Sequence, residues 1–411
     1  MHEVHPAFDI KAAKAKTLLG KKIVLGVTGS IAAVECIKLA RELIRHGAEV
    51  YAVMSKEATR ILHPNALEYA TGHKVITEIS GAVEHIEHCG EREAKASLLL
   101  IAPCTANTIS KIACGIDDTP VTTFATTALG SKIPIMIAPA MHASMYSHAI
   151  VGENIERLRK IGIKFISPRI EEEAAKLASV EEIVINVERA LGANELAGKK
   201  ILITGGGTAE ALDPIRILTN RSSGRTGVEL ANEAYRRGAS ITLVHRSNLN
   251  CTSSEIKTIY VESVEEMINA VMKELESEKY DILISAAAIS DFTLARSATK
   301  IKSGEPVLLR LKPAPKLIKM VREKYPDLYL VGFKAETYVS EEELIKRAKF
   351  ARQRDRLNLI VANDVGSGGM GGESNVVFII SEKNVERVSG LKREIAAKIF
   401  EAVLRDLNAN W

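Results

Sequence analysis

Residues 198–244, GKKILITGGGTAEALDPIRILTNRSSGRTGVELANEAYRRGASITLV, decide how the second half of this chain folds. The stretch opens as an apolar strand ending at Thr204 and continues into an amphipathic helix that keeps Val228, Leu230 and Ala234 on one face; a glycine stop and a second apolar strand follow. That is a strand-helix-strand unit. A dinucleotide turn needs only a few residues between strand and helix, whereas here everything from Gly205 to Ser223 intervenes. Gly205, Gly206 and Gly207 let backbone approach a phosphate chain. Thr208 to Ser223 can then fold over a substrate before Ser222-Ser223-Gly224-Arg225-Thr226-Gly227 opens the helix, whose free N–H groups suit an anion.

The first half repeats the pattern in GKKIVLGVTGSIAAVECIKLARELIRHGAEVYAVMS from Gly20, with Ile31, Val34, Ile37, Leu39 and Leu43 at helical spacing. Further strands are expected at SLLLIAP, VTTFATTA and IPIMIAP, alternating with helices around TANTISKIA and NIERLRKIG. In the second half DILISAAAIS, LYLVGFKAE, LNLIVANDV and NVVFIIS read as strands. VEEMINAVMKELE, EEELIKRAKFARQR and KREIAAKIFEAVLRDL read as helices.

Strands that are apolar throughout and alternate with helices imply parallel sheets covered on both faces. The expected fold class is α/β, two doubly wound domains with mainly parallel sheets, the first flavodoxin-like or Rossmann-like and the second Rossmann-like. The expected boundaries are 1–190, including an N-terminal extension at 1–19, then a linker at 191–198 in RALGANELAGKK, then 199–411.

Two domains suit a chain of 411 residues. Lys and Arg number 55 against 51 Asp and Glu, spread along the chain, so no nucleic-acid partner is required. No apolar run approaches the roughly 18 to 20 residues of a membrane span, and the first residues lack the apolar core of a secretory signal; a cytoplasmic, membrane-free protein is expected. Cys36, Cys89, Cys104, Cys114 and Cys251 show no CxxC spacing, so neither a disulfide framework nor a protein-held metal is indicated.

In an open parallel sheet, ligands lie beyond the carboxyl ends of the strands, so the residues just after each strand carry the information. GVTGS lacks the full GxGxxG, and its second strand ends in Met54-Ser55-Lys56 without the acid a dinucleotide ribose needs. By itself it is either a phosphate site or a tight turn. APCTANTISKIACG, TTFATTALG and APAMHASM add hydroxyls, amides and turns suited to a phosphate and a flat ring.

In that order and spacing, GVTGSIAA, APCTANTISKIACG and PAMHASMY resemble the flavin-containing phosphopantothenoylcysteine decarboxylases. GGGTAEALDPIRILTNRSSGRTG, AAAISDF, ATKIKSG, LKPAPKLI, VGFKAE and ANDV resemble the phosphopantothenate-cysteine ligases. From about Gly20 onward the chain resembles the family that joins both activities in coenzyme A biosynthesis, decarboxylase first and ligase second.

For the first domain the resemblance implies FMN, held by Gly29, Ser30, Ile31, Ser55, Thr105, Asn107, Ala140 and Met141. It implies His85 in VEHIEHCG as the proton carrier, with His88 as the local alternative. His142 stands where bacterial members carry the amide that holds the substrate carboxylate. The bacterial flap cysteine has no counterpart in SPRIEEEAAKLAS, which leaves the reductive donor open, Cys89 and Cys104 being the nearer thiols. Both departures resemble archaeal-type members.

For the second domain the resemblance implies an acyl-cytidylate made from CTP with Mg2+. Gly205, Gly206, Gly207, Ser222, Ser223, Gly224, Asp291, Lys300, Phe333 and Lys334 then face the nucleotide or substrate phosphate. Asn220 serves the amide-forming step, and Lys300, with Lys302 beside it, meets the triphosphate. Asn363 and Asp364 either line the cleft or form a turn. The implied substrates are 4'-phosphopantothenate, L-cysteine and CTP, in a homo-oligomer of ligase dimers and decarboxylase trimers, a dodecamer being compatible with both. Two other readings stay open: a ligase with an inactive or regulatory flavin-binding N-terminal domain, and an NADP-dependent reductase suggested by Arg246 after ITLVH.

Overall fold

The computed structural model describes residues 5–304, 306–366 and 371–409. Its chain divides between Gly192 and Ala193 into two compact units. In the first unit β1 (Lys22–Val27), β2 (Glu49–Met54), β3 (Leu98–Cys104), β4 (Ile135–Pro139) and β5 (Lys164–Phe165) form a parallel sheet in the order β2-β1-β3-β4-β5. Every residue of β3 is buried: Leu98, Leu100 and Ala102 enter one apolar cluster, Leu99 and Ile101 the opposite one. A strand covered on both faces has no reason to alternate, which is why this one reads as a continuous apolar run.

Helix α1 (Cys36–Arg45) follows β1 and buries Leu39, Ala40 and Leu43. Helix α2 (Glu84–Cys89) lies between β2 and β3, α3 (Ala106–Cys114) follows β3, and α4 (Pro120–Gly130) precedes β4. The strand expected at VTTFATTA is therefore corrected to a helix. Its apolar residues Val121, Phe124, Ala125 and Ala128, all buried, follow an i, i+3, i+4, i+7 stripe rather than a period of two. A capping box starts it, Thr119 Oγ1 accepting from the Thr122 N–H at 3.2 Å and Thr122 Oγ1 from the Thr119 N–H at 2.9 Å, with Pro120 in the first turn. Threonine and phenylalanine favour strands intrinsically, but burial of the stripe and the cap outweigh that preference.

The N-terminal segment belongs to this unit: Ala7 and Leu18 are fully buried and the Leu18 N–H donates to the His46 carbonyl at 2.9 Å. Helix α5 (Val180–Leu191) closes the unit and covers the first residue of the expected linker. Leu196, further along that linker, is buried in the second unit, and its N–H donates to the Arg237 carbonyl at 2.9 Å.

The second unit is built on eight strands, β6 (Lys200–Gly206), β7 (Ser240–Arg246), β8 (Lys257–Tyr260), β9 (Ile282–Ser285), β10 (Tyr329–Glu336), β11 (Leu359–Asp364), β12 (Ser374–Ile380) and β13 (Val385–Leu391), in the order β8-β7-β6-β9-β10-β11-β12-β13. All pair in parallel except β12 and β13, which return antiparallel. Helix α6 (Arg225–Arg236) packs against α10 (Lys392–Ala409). The apolar faces of α7 (Val264–Ser277), α8 (Leu317–Lys324) and α9 (Glu341–Arg354) share one cluster with Leu202, Leu283 and Leu330 of the sheet. Sequence patterning did not anticipate α8 or β13. The first follows a proline-rich stretch and is short, and the second is an exposed edge whose residues alternate between solvent and half-burial.

Candidate functional site

In the first unit the carboxyl ends of β2, β1, β3 and β4 stand side by side, so the residues after them gather along one edge. Ser30, Ser55 and Thr105 each cap the helical turn that follows, accepting from Ala32 N at 3.4 Å, Ala58 N at 3.2 Å and Thr108 N at 3.3 Å. Thr28 locks two strand tips together: its Oγ1 donates to the Pro103 carbonyl at 2.8 Å and accepts from the Thr105 N–H at 3.0 Å. Gly29 has no room for a side chain, since a Cβ there would lie 2.5 Å from the Glu57 Cβ. Asn107 is exposed in the first turn of α3, and Ile31 is 77% exposed, an apolar side chain left for a flat ring to cover. These residues fit a phosphate-bearing planar cofactor.

Ala140 follows β4, its N–H donating to the Cys104 carbonyl at 3.0 Å. Met141 and His142 form a short strand antiparallel to Ala174–Lys176, which in turn pairs with Arg169–Glu171. The Arg169–Lys176 hairpin is thus hydrogen-bonded directly to the His142 strand, a link that the sequence did not reveal. His142 Nδ1 contacts Ser144 Oγ at 2.9 Å, leaving Nε2 for other partners. His85 is half-buried on α2, with Nδ1 enclosed and without a partner among the described residues. His88 is instead packed against Tyr51, with ring centres 4.5 Å apart, and burial lowers its pKa. Burial pushes the Cys89 thiol up to about 12 and raises Cys104 strongly as well, so neither supplies a thiolate readily.

In the second unit a cavity of about 850 Å3 opens over the strand tips. Asn220, Ser222, Ser223, Gly224, Asp291, Phe333, Lys334 and Asn363 line it, residues separated by up to about two thirds of the unit's sequence. The long loop of the opening stretch forms an antiparallel pair, Ala209–Ala211 with Ile217–Thr219, and delivers Asn220 to the cavity, where its Nδ2 donates to the Ala288 carbonyl at 2.8 Å. Asp291 pairs with Lys316, and both side chains are largely exposed, so the pair leaves the carboxylate accessible. Lys334 Nζ lies 3.1 Å from Glu336. Burial opposes ionisation of Glu336, but Lys334 and Arg347 outweigh it and hold the carboxyl below the usual range.

The three glycines act through close chain contacts and do not line the cavity. Gly205 packs on Gly227, Gly206 has φ +79 and a Cβ there would meet the Arg246 carbonyl oxygen at 1.9 Å, and Gly207 bridges Ala288. Arg246 Nη1 donates to the Gly207 carbonyl at 3.4 Å, a contact inside the fold. Lys300 is exposed and also outside the lining, on a loop held by the buried Asp213. Asp213 Oδ1 accepts from Ile215 N and Arg216 N at 2.8 Å each, and Oδ2 accepts from Ile301 N at 3.1 Å. Arg225, Thr226, Ser290, Lys316 and Lys392 also line the cavity. In the sequence Arg225 and Thr226 read only as part of the helix start, and Lys392 carries no local signal. Among the described residues no three His, Cys, Asp or Glu gather as a metal site, and no helix is long and apolar enough to cross a membrane.

Fold and site together define a two-unit α/β protein, each unit with a mainly parallel sheet and candidate ligand-binding residues along its strand tips. Residues 196–407 match the family model described as DNA/pantothenate metabolism flavoprotein C-terminal domain, and residues 11–192 match the Flavoprotein model. The coenzyme A biosynthesis bifunctional protein CoaBC of Thermococcus kodakarensis is 54% identical over 402 residues, covering 97% of this chain and 99% of that one. Its counterpart in Methanocaldococcus jannaschii is 42% identical over 403 residues, covering 97% of each. The chain belongs to the family of coenzyme A biosynthesis bifunctional proteins. A crystal structure of the C-terminal domain of such a protein is 28% identical, with a TM-score of 0.44, over 53% of this chain and all of that one.

Proposed function

We propose that this chain ligates L-cysteine to 4'-phosphopantothenate in residues 199–411 and decarboxylates the product to 4'-phosphopantetheine in residues 1–190, with 191–198 as the joint. The observation that carries the reading is the convergence of Asn220, the Ser222–Gly224 turn, Asp291, Phe333 and Lys334 on one cavity, in a chain of this family.

Joining a carboxylate to an amine needs a leaving group on the carboxylate, and CTP supplies it as an acyl-cytidylate, with Mg2+ arriving on the nucleotide phosphates. Asp291, Phe333 and Lys334 border the nucleotide. Lys300, on the loop that Asp213 fixes, supplies a cation to the triphosphate. Gly205, Gly206 and Gly207 let the Asn220–Gly224 turn reach the substrates by packing without side chains. The Asn220 amide, oriented by Ala288, hydrogen-bonds the activated carbonyl as the amine attacks.

In the first unit FMN is the expected cofactor. Ser30, Ser55 and Thr105 with Gly29 and Asn107 bind its phosphate end, while Ile31, Ala140 and Met141 flank its ring. When bound, it supplies reversible two-electron oxidation at the thiol-bearing carbon, which lets the carboxylate leave without an unstabilised carbanion. His85 moves the proton, and His142 donates to the substrate carboxylate. Assembly as ligase dimers and decarboxylase trimers, and a cytoplasmic location, complete the reading.

The test supplies phosphopantothenate, cysteine and either CTP or ATP to the purified protein, and measures pyrophosphate and carbon dioxide together. Pyrophosphate with CTP, and carbon dioxide in equal amount from a yellow protein, are expected. Pyrophosphate without carbon dioxide from a colourless protein would leave only the ligase with an inactive first domain.

A further inference from the structure

Two opposite charges stand on one face of β10 where that strand reaches the cavity. Lys334 and Glu336 are two residues apart on the strand, so their side chains leave the same side. Lys334 Nζ lies 3.1 Å from Glu336 Oε1. The other carboxylate oxygen, Oε2, is met from α9 by Arg347 Nη1 at 3.0 Å, and Arg347 Nε donates to Glu343 Oε1 at 2.8 Å. Lys334, Glu336, Arg347 and Glu343 thus form a row of alternating sign, and of the four it is Lys334 that lines the cavity.

The backbone around this row is fixed. The Glu336 carbonyl accepts from the Val365 N–H at 2.8 Å. Asp364 Oδ1 accepts from Tyr338 N at 3.1 Å and Gly366 N at 2.7 Å, and Oδ2 from Val339 N at 3.0 Å. Tyr338 is held at φ +55, left-handed backbone that a bulky residue rarely adopts. Asp364 therefore forms the turn, while its neighbour Asn363 lines the cavity. The turn runs into the Ser340 cap of α9, whose Oγ accepts from Glu343 N at 3.2 Å, and so sets where Arg347 meets Glu336.

A lysine side chain is flexible, and an ion pair that fixes it before a ligand arrives removes part of the ordering cost from binding. A bare carboxylate at the same place would repel a polyphosphate. Burial opposes ionisation of Glu336, but Lys334 and Arg347 hold the carboxyl below the usual range, so it is charged. Arg347 supplies the second cation, and the group Lys334, Glu336 and Arg347 keeps one net positive charge. One carboxylate oxygen occupies one of the three N–H bonds of the ammonium, which leaves two for an anion. We propose that Glu336 is a positioning residue for the nucleotide: it holds the Lys334 ammonium ready for the nucleotide phosphates, and Arg347 cancels its charge so that the carboxylate does not repel them. This rests on the ligase reading above, in which Lys334 borders the nucleotide.

The test compares Glu336→Gln, Arg347→Met and Arg347→Lys with the parent, by calorimetry with CTP and Mg2+ and by pyrophosphate release. Glutamine keeps the shape of the side chain and removes the charge that holds Lys334. The Kd and KM for CTP should each rise about tenfold, the size expected for losing a charge-assisted contact, while the KM for phosphopantothenate holds. Arg347→Met should weaken CTP binding similarly, and Arg347→Lys, which keeps a cation, should retain most of the parent's affinity. Unchanged CTP binding in Glu336→Gln, an equal rise in the KM for phosphopantothenate, or no rescue by lysine at 347 overturns the assignment, since a purely structural row would affect both substrates alike. A parent that binds CTP in a Glu336-dependent way but releases no pyrophosphate defeats the ligase reading and upholds the positioning role. A parent that binds no CTP defeats both.

Discussion

Gly205 at the end of β6 and Gly227 in the first turns of α6 touch backbone to backbone: a Cβ added to Gly227 would lie 2.8 Å from the Gly205 Cα. This contact seats α6 tightly on β6 and so aims the Ser222–Gly224 turn at the cavity. Gly227→Ala should cost about 1–3 kcal/mol through overpacking and lower the affinity for CTP and phosphopantothenate. Gly152→Ala, in a helix where the added methyl meets nothing within 4 Å, should instead stabilise by about 0.5–1 kcal/mol. Denaturant titration of both variants measures the contrast, and equal stability would remove the close-packing argument.

Asp213 is the hub that joins the Ala209–Thr219 hairpin to the Lys300 loop. Burial alone would raise its pKa, but the Ile215, Arg216 and Ile301 N–H groups and the Arg216 guanidinium hold the carboxyl below the usual range. In Asp213→Asn an NH2 group must face the Ile301 N–H or the Ile215 and Arg216 donors. Loss of such a charge-assisted contact should raise the KM for CTP by about tenfold and speed proteolysis of the Lys300 loop, with carbon dioxide release unaltered. Unchanged CTP kinetics would show that Lys300 does not depend on this anchor.

His85→Asn should reduce carbon dioxide release by about 10²- to 10⁴-fold, the usual reach of a general acid or base. Flavin absorbance and ligase activity should persist. His88→Asn should mainly lower the melting temperature, because its ring packs beside Tyr51 and Phe124. If decarboxylation survives in the first variant and disappears in a folded second one, the roles exchange.

Burial, the largest cause, also holds the imidazoles of His73 and His88 below their ordinary value, with Tyr51 stacked on His73 at 4.1 Å. The unfolded chain therefore takes up protons at higher pH than the folded one. The stability these two groups contribute is complete above about pH 6.5 and is lost as pH falls from there through their folded values. The first unit's melting temperature should drop as pH falls below about 6.5, and His88→Phe should flatten that slope. An unchanged slope in the variant would exclude His88 as a contributor.

The alternation of apolar strands with amphipathic helices, the two-unit organisation and the motifs at the strand tips were all legible in the sequence. Each is encoded by local periodicity, which records which faces are buried. VTTFATTA misled because its residue types favour strands, while its spacing and the Thr119 cap, also present in the sequence, specify a helix. What the tertiary structure alone decided are meetings across long separations: Asp213 with Ile301, the His142 strand with the Arg169–Lys176 hairpin, and Asn220 with Ala288. The order of strands in a sheet and the packing of one helix on another set such meetings, and no spacing along the chain records either.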